Sequence, residues 1–394
     1  MKSLDDAQAL IAQYVRPLEA ETLPLAAASG RVLAGAVTAA LTQPPFAASA
    51  MDGYAVHASD LSGQPVTLRL AGEAAAGHVF DRALERGTAI RVSTGAALPP
   101  GANQVVIQEN TVLDDGTVTT SEPPRPLAHI RQTGQDFARG DTLLEPGRLL
   151  TPEALSLAAS AGVTEIKLRK RPRVGILASG DELVEPGETP GPGQIVNSIA
   201  PGLAALVAQW GADPVYLGIA RDDPQDVAGK LSNTENLDLL VTIGGASVGD
   251  HDHLRQVFAD RGGKLIFEKI AIKPGKPTWF GLLDEVPVVG LPGNPVSAFV
   301  TARLVLRHAL ERQLGRPAGT LLGRARLAVA LPANGPRETF VRAVRSAETG
   351  EVSPVSRQDS SVLSALVEAD VLIRRAADAP AAEAGERVET VGLD

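Results

Sequence analysis

The sequence predicts a multidomain α/β plus β protein with a doubly wound, mostly parallel α/β domain. Three observations predict it. The chain has 394 residues, more than one compact core of about 100–200 residues normally uses. Residues 171–317 alternate short apolar runs with helical stretches, the pattern that right-handed βαβ crossovers leave in a sequence. On either side lie short β-type runs punctuated by Gly and Pro, which read as separate β-rich regions.

The elements follow in order. Ser3-Leu4-Asp5-Asp6 reads as a helix cap, with Leu4, Ala7, Ile11, Tyr14 and Val15 at helical spacing behind it and Pro17 as the stop. From about residue 22 to 149 come β-type runs at 66–70, 89–92, 104–107 and 116–119. Within that stretch, 44–46 with 49–55, and 91–96, read as loops by composition. Thr151-Pro152-Glu153 opens a helix that Gly162 ends. In the α/β stretch, strands are expected at 173–178, 215–219, 237–243 and 287–291, and helices at 199–210, after Asp250 and over 295–314. The last residues return to β-type runs at 324–330, 338–344 and 371–373.

Hydrophobic content of 44% and charged content of 21% are those of a globular chain. A net charge of −9 disfavours a nucleic-acid surface, and the absence of cysteine excludes disulfides, thiolate nucleophiles and Cys-ligated metal. No apolar run approaches the ~20 residues a membrane helix needs. Asp5 and Asp6 stand where a signal peptide would want a cationic, then apolar, run. The expectation is a soluble, cytoplasmic protein with no nucleic-acid or membrane partner.

In an open α/β sheet ligands bind beyond the carboxyl ends of the strands. The loops there are Ser179-Gly180-Asp181-Glu182-Leu183, Arg221-Asp222-Asp223-Pro224, Gly244-Gly245-Ala246-Ser247-Val248-Gly249-Asp250 and Leu291-Pro292-Gly293-Asn294-Pro295-Val296-Ser297. Glycines let backbone N–H groups approach a phosphate, and a following helix adds its positive end; the plainer reading is that they close tight turns. Asp181, Glu182, Asp222, Asp250 and Asp252 would repel a bare phosphate but suit a Mg²⁺ ion bridging them to it, or serve as helix caps and surface charge. Asp250-His251-Asp252-His253 lacks the i, i+4 spacing of helical zinc ligands. If residues 269–273 are extended, Lys269 and Lys273 share a face and could hold an oxyanion, or guard a strand edge.

Six segments in fixed order carry a resemblance: Met51-Asp52-Gly53-Tyr54-Ala55, Ser93-Thr94-Gly95-Ala96, Ser179 to Leu183, Gly244 to Asp250, Ala271-Ile272-Lys273-Pro274-Gly275-Lys276-Pro277 and Leu291 to Ser297. This set resembles the molybdopterin molybdenumtransferase family, MoeA in bacteria and the gephyrin E domain in animals. The resemblance implies a helical linker domain over 1–21 and 140–170, a β-rich domain over 22–139, a molybdopterin-binding doubly wound domain over 171–317 and a C-terminal β-barrel over 318–394. It implies an elongated homodimer whose cleft is shared between subunits, and insertion of molybdate into adenylylated molybdopterin with Mg²⁺-dependent release of AMP. A molybdopterin adenylyltransferase upstream and molybdoenzyme maturation proteins downstream would be its partners.

The resemblance also implies roles. Asp52, Thr94 and Asp136 would be catalytic with Glu182, Lys269 and Lys273. Asp52 and Thr94 would reach in from the partner subunit. Ser179, Gly180, Asp181, Gly244, Gly245, Ser247, Gly249, Asp250, Pro292, Gly293, Asn294, Pro295, Ser297, Arg342 and Ser360 would bind the substrate. Glu182, Asp222 and Asp252 would serve the metal. Asp359 departs from the family's usual Gly before Ser and would add a carboxylate beside an oxyanion site. Two other readings compete: an adenylyltransferase, whose fold resembles 171–317 alone, and a binding scaffold without catalysis.

Overall fold

The protein was analysed as a computed structural model, which describes residues 1–234, 236–245, 253–317 and 322–393. The doubly wound domain contains β1 (Arg173–Ser179), α1 (Ile199–Gln209), β2 (Asp213–Ala220), α2 (Pro224–Leu231), β3 (Leu239–Ile243), α3 (His253–Asp260), β4 (Lys264–Phe267), β5 (Trp279–Leu283) and β6 (Val286–Leu291). Its six-stranded sheet has the order β2-β1-β3-β6-β5-β4. The first four strands are mutually parallel, and β5 runs against both its neighbours. The apolar runs that predicted strands are buried on both faces: every residue of β3 is buried, as are all but the first of β1 and β6, as parallel sheets covered by helices require.

The helices divide between the two faces. Val227, Leu231, Leu254, Val257 and Phe258, from α2 and α3, pack with Leu240 and Trp279 on one side. Ile199, Leu203 and Val207 of α1 pack with Val296, Val300 and Leu304 on the other. The long helix expected over 295–314 is a continuous run of three parts: Pro295–Thr301, a π-helical segment Ala302–Leu306 and Arg307–Gln313.

The N-terminal helix is Leu4–Tyr14. Ser3 caps it by accepting from the Asp6 N–H at 3.0 Å, and Asp6 reaches back to the Ser3 N–H. Its buried face, Leu4, Ala7 and Ile11, joins the α1 side of the doubly wound core. Packing therefore groups this helix with the central sheet. Strand Ala20–Pro24 instead pairs with Glu165–Arg169, and both strands border a separate core built on helix Pro152–Ser160.

A six-stranded sheet lies between these two arms of the chain, in the order Gln104–Ile107, Gly53–Val56, Thr88–Val92, Val66–Ala74, Thr117–Thr120, Thr111–Asp114. One of its strands occupies a stretch read as a loop: Gly53–Val56 is an inner strand, all four residues buried. Arg91-Val92, which opens the other loop reading, ends the strand expected at 89–92. Gly53 opens the inner strand. It is needed because a Cβ there would strike the Val106 carbonyl on the neighbouring strand.

At the C-terminus, Leu322–Arg326, Glu338–Arg345, Val371–Arg375 and Arg387–Gly392 belong to one sheet, with Val352–Pro354 added beside Glu338–Arg345. A bridge between Leu327 and Val352 joins its two margins, and Leu327, Ala343, Val352 and Ile373 fill the interior. This is the expected β-barrel. Among the described residues no helix is long and apolar enough to cross a membrane.

Candidate active site

β1 lies between β2 and β3, so successive connections leave it in opposite directions. The crevice at such a switch point is where an open sheet receives a ligand. Here it is a cleft of about 750 Å³. Ser179 and Gly180 end β1, Gly244 and Gly245 follow β3, and Pro292, Gly293, Asn294 and Pro295 follow β6; all of these line the cleft. Gly244 has φ +86°, and a Cβ on it would sit 2.6 Å from the Ser179 carbonyl. Glycine is thus obligatory where these two loops meet.

The carboxylates separate into two kinds. Glu182 and Asp222 line the cleft. Asp181 does not: its carboxylate accepts the Asp222 N–H at 3.0 Å, while its carbonyl accepts from Arg221 Nη1 at 3.2 Å. Asp181 therefore ties the β1 loop to the β2 loop, a bracing role in place of the ligand contact expected for it. Asp223 caps α2 by accepting from the Gln225 N–H. Ser247, Gly249, Asp250 and Asp252 lie outside the described residues. Among the described residues no group of three acidic or histidine side chains is placed to hold a metal by itself. Mg²⁺ takes one or two carboxylates plus phosphate oxygens, and Glu182 with Asp222 fits that requirement.

The lysines are arranged differently from expectation. The segment bends at Ala271 instead of running straight, because the Lys2 carbonyl captures the Ala271 N–H at 2.7 Å and the Lys276 carbonyl the Ile270 N–H at 3.1 Å. Lys269 and Lys276 consequently face the cleft together. Lys273 is exposed on a two-residue strand paired with Glu338 and Thr339 of the barrel, and is not among the lining residues. Lys276 sits in the Lys-Pro-Gly-Lys-Pro motif, and in this cleft it is Lys276 that accompanies Lys269.

A second unforeseen residue is Asn197. It is buried, accepts from the Ala200 N–H at 3.4 Å at the start of α1, and donates to Tyr216 Oη at 2.9 Å. Tyr216 in turn donates to Glu185 at 2.8 Å. Burial, then the Glu185 carboxylate, pushes the Tyr216 phenol above its ordinary value. The chain of bonds fixes the short parallel ribbon of Leu183-Val184 and Ile195-Val196, one wall of the cleft. No recognised motif covers Asn197.

The C-terminal region abuts the last of the cleft's loops, the one after β6. The Ser360 carbonyl accepts the Val296 N–H at 3.1 Å, and Asn294 Nδ2 donates to Ser360 Oγ at 3.2 Å. Ser297 is buried in the same first turn, and its carbonyl accepts from Thr301 Oγ1. Asn294, expected to bind substrate, thus gives a side-chain donor to Ser360. Arg342 is only 2% exposed. It bonds the Asp359 carbonyl at 2.9 Å through Nη1 and shares Gln358 Oε1 through its backbone N–H and Nε, so it positions the 358–361 turn and does not line the cleft. Burial lowers its pKa from the ordinary arginine value, opposed by Asp359. The Asp359 carboxylate accepts from the Ser361 hydroxyl at 2.6 Å and N–H at 2.8 Å, so the extra charge is engaged in a local turn.

Asp52, Thr94 and Asp136 lie in the β-rich region, and none lines this cleft. Asp52 Oδ1 accepts from the Thr94 N–H at 2.6 Å and from its hydroxyl at 3.0 Å, bonds that hold the carboxyl below the usual range. Asp136 is exposed, its N–H bonded to the Gln43 carbonyl at 3.1 Å.

Glycine loops, two lysines and two carboxylates at a doubly wound switch point define the class: a multidomain α/β protein whose cleft suits a phosphate-bearing small molecule. Comparison with known proteins narrows this. Residues 2–162 match the MoeA N-terminal region (domain I and II), 175–312 the probable molybdopterin binding domain and 324–393 the MoeA C-terminal region (domain IV). The molybdopterin molybdenumtransferase of Haemophilus influenzae is 39% identical, covering 80% of this chain and 78% of its own. Molybdopterin molybdenumtransferase 2 of Mycobacterium tuberculosis is 36% identical, with 100% of each chain covered. The crystal structure of a MoeA molybdopterin biosynthesis protein from Pyrococcus horikosii superposes with a TM-score of 0.82 at 28% identity, covering 100% of this chain and 99% of that one. The chain belongs to the molybdopterin molybdenumtransferase family. The adenylyltransferase alternative, which accounts for 171–317 alone, leaves the matches on either side unexplained.

Proposed function

We infer that this chain inserts molybdate into adenylylated molybdopterin, releasing AMP and producing molybdenum cofactor. The observation that carries the reading is the switch-point cleft, lined by Lys269, Lys276, Glu182 and Asp222 together with the glycine loops, in a chain of this family. The glycine loops hold the substrate's phosphates through backbone N–H groups. Lys269 and Lys276 attract the oxyanion. A Mg²⁺ ion between Glu182 and Asp222 would screen phosphate from carboxylate and stabilise charge on the departing phosphoryl oxygen. The dithiolene sulfurs of the substrate capture the metal, so no protein nucleophile is required.

The reading extends to a cytoplasmic homodimer, with Asp52, Thr94 and Asp136 of one subunit completing the partner's cleft. Their absence from the lining of the cleft in their own chain supports this. Substrate would arrive from a molybdopterin adenylyltransferase and product leave to molybdoenzyme maturation proteins. The direct test is mass spectrometry of products after mixing the protein with adenylylated molybdopterin, molybdate and Mg²⁺. Failure to form AMP and the molybdenum-bearing product sinks the reading. For the shared cleft, inactive Asp52→Asn and inactive Glu182→Gln chains are mixed. One cleft of each mixed dimer then collects both lesions and the other neither, so activity returns; no recovery despite verified subunit exchange places the site within one chain.

A further inference from the structure

We propose that the C-terminal barrel carries a second anion site, for a phosphate-type tetrahedral oxyanion, walled by Arg324, Arg326 and Arg387. These residues line a cavity of about 460 Å³ with Thr349, Gly350 and Glu351. None of them lines the switch-point cleft. Strand Leu322–Arg326 runs antiparallel to Arg387–Gly392 with Arg326 directly opposite Arg387. Opposed like charges destabilise a sheet, and this protein, with a net charge of −9, has carboxylates to spare for neutralising them. It does not use them here.

No carboxylate among the described residues forms an ion pair with any of the three arginines. Glu389, opposite Arg324 in register, is drawn instead to Arg374 at 3.5 Å. Glu351 shares the cavity, yet its carboxylate lies toward the Thr349 hydroxyl at 3.5 Å. Residues 318–321, which precede the strand, are Ala-Gly-Thr-Leu and bring no charge. One guanidinium is anchored: Arg326 Nη1 donates to the Gly385 carbonyl at 3.1 Å. The cationic groups are all arginines, whose planar forks match the oxygens of a tetrahedral oxyanion two at a time. An oxyanion between Arg326 and Arg387 would cancel the repulsion that the sheet register imposes, which gives the unpaired arrangement a purpose.

The test is calorimetric titration of the full chain at low ionic strength, with inorganic phosphate in one arm and AMP in the other. Equal affinity assigns recognition to the phosphate group alone; tighter AMP binding assigns it to a phosphate ester. Because the cleft itself takes anions, the reading is the difference between variants. Arg387→Gln should weaken one phosphate-binding event by about tenfold or more, while Lys269→Met leaves that event in place. Glu351→Gln should strengthen it. Without phosphate, Arg387→Gln should melt at or above the wild-type temperature, since it relieves a like-charge pair. Phosphate binding unchanged in Arg387→Gln, or abolished by Lys269→Met alone, overturns the proposal. So does a lower melting temperature of Arg387→Gln in phosphate-free buffer, which would make the arginines structural.

Discussion

One oxygen of Asp52 accepts both the backbone N–H and the hydroxyl of Thr94, at 2.6 Å and 3.0 Å. Both bonds favour the ionised carboxylate, and the N–H contributes most to its lowered pKa. The bonds are complete above the ordinary carboxylate range and are lost only as pH falls through the depressed folded value. Thr94→Val deletes the hydroxyl and keeps the N–H. Carbon NMR titration of Asp52 should then show a midpoint shifted upward, part of the way to an ordinary aspartate; an unchanged midpoint would show that the hydroxyl is not bonded in solution.

The lysines give a contrast between neighbours. Lys276→Met keeps the aliphatic stem and removes a charge facing the cleft. It should raise the molybdate concentration for half-maximal insertion about tenfold, the scale of one charge-assisted contact. Lys273→Met, outside the lining, should raise it far less. Steady-state titration of both variants checks the order, and the reverse order would restore Lys273 as the partner of Lys269.

Glu182 is exposed; its backbone carbonyl accepts the Ile195 N–H at 2.8 Å, a bond that glutamine keeps, and among the described residues its carboxylate makes no hydrogen bond or ion pair. Glu182→Gln should slow AMP release at saturating Mg²⁺ without lowering the melting temperature. Wild-type release by a folded variant would remove Glu182 from the reaction.

Arg342 tests the opposite role. Replacing it by Met removes the Nη1 donor to the Asp359 carbonyl and the longer of the two bonds to Gln358 Oε1, whose bond from the backbone N–H stays. The expected cost is about 1–3 kcal/mol, read by urea denaturation. A loss of molybdate affinity at unchanged stability would instead argue for direct contact with the ligand.

The doubly wound strands were legible because burial on both faces makes them uniform apolar runs, and the caps Ser3 and Thr151 declared their helices. β4 and β5 escaped notice: the four residues of β4 and the apolar Trp279–Leu283 show no alternation to separate strand from buried helix. Gly53–Val56 was hidden by its glycine, whose reason is a carbonyl on a strand some fifty residues further along. In the site, glycine loops and carboxylates were visible as residue types. Which lysine faces the cleft depended on a bend held by Lys2, and which aspartate braces a loop depended on the Asp222 amide. Contacts of that range leave no local pattern.

The helix Leu4–Tyr14 and α1 share one core although residues 15–198 separate them in the chain. That core is a hold on the amino-terminal helix that does not run through the intervening chain. Arg82 is exposed between Val66–Ala74 and Thr88–Val92, two strands that pair directly. A limited tryptic cut after Arg82 should yield two bands on a denaturing gel from a protein that still elutes as one particle. The fragments should part only under denaturant, because the amino-terminal piece supplies a wall of the other's interior.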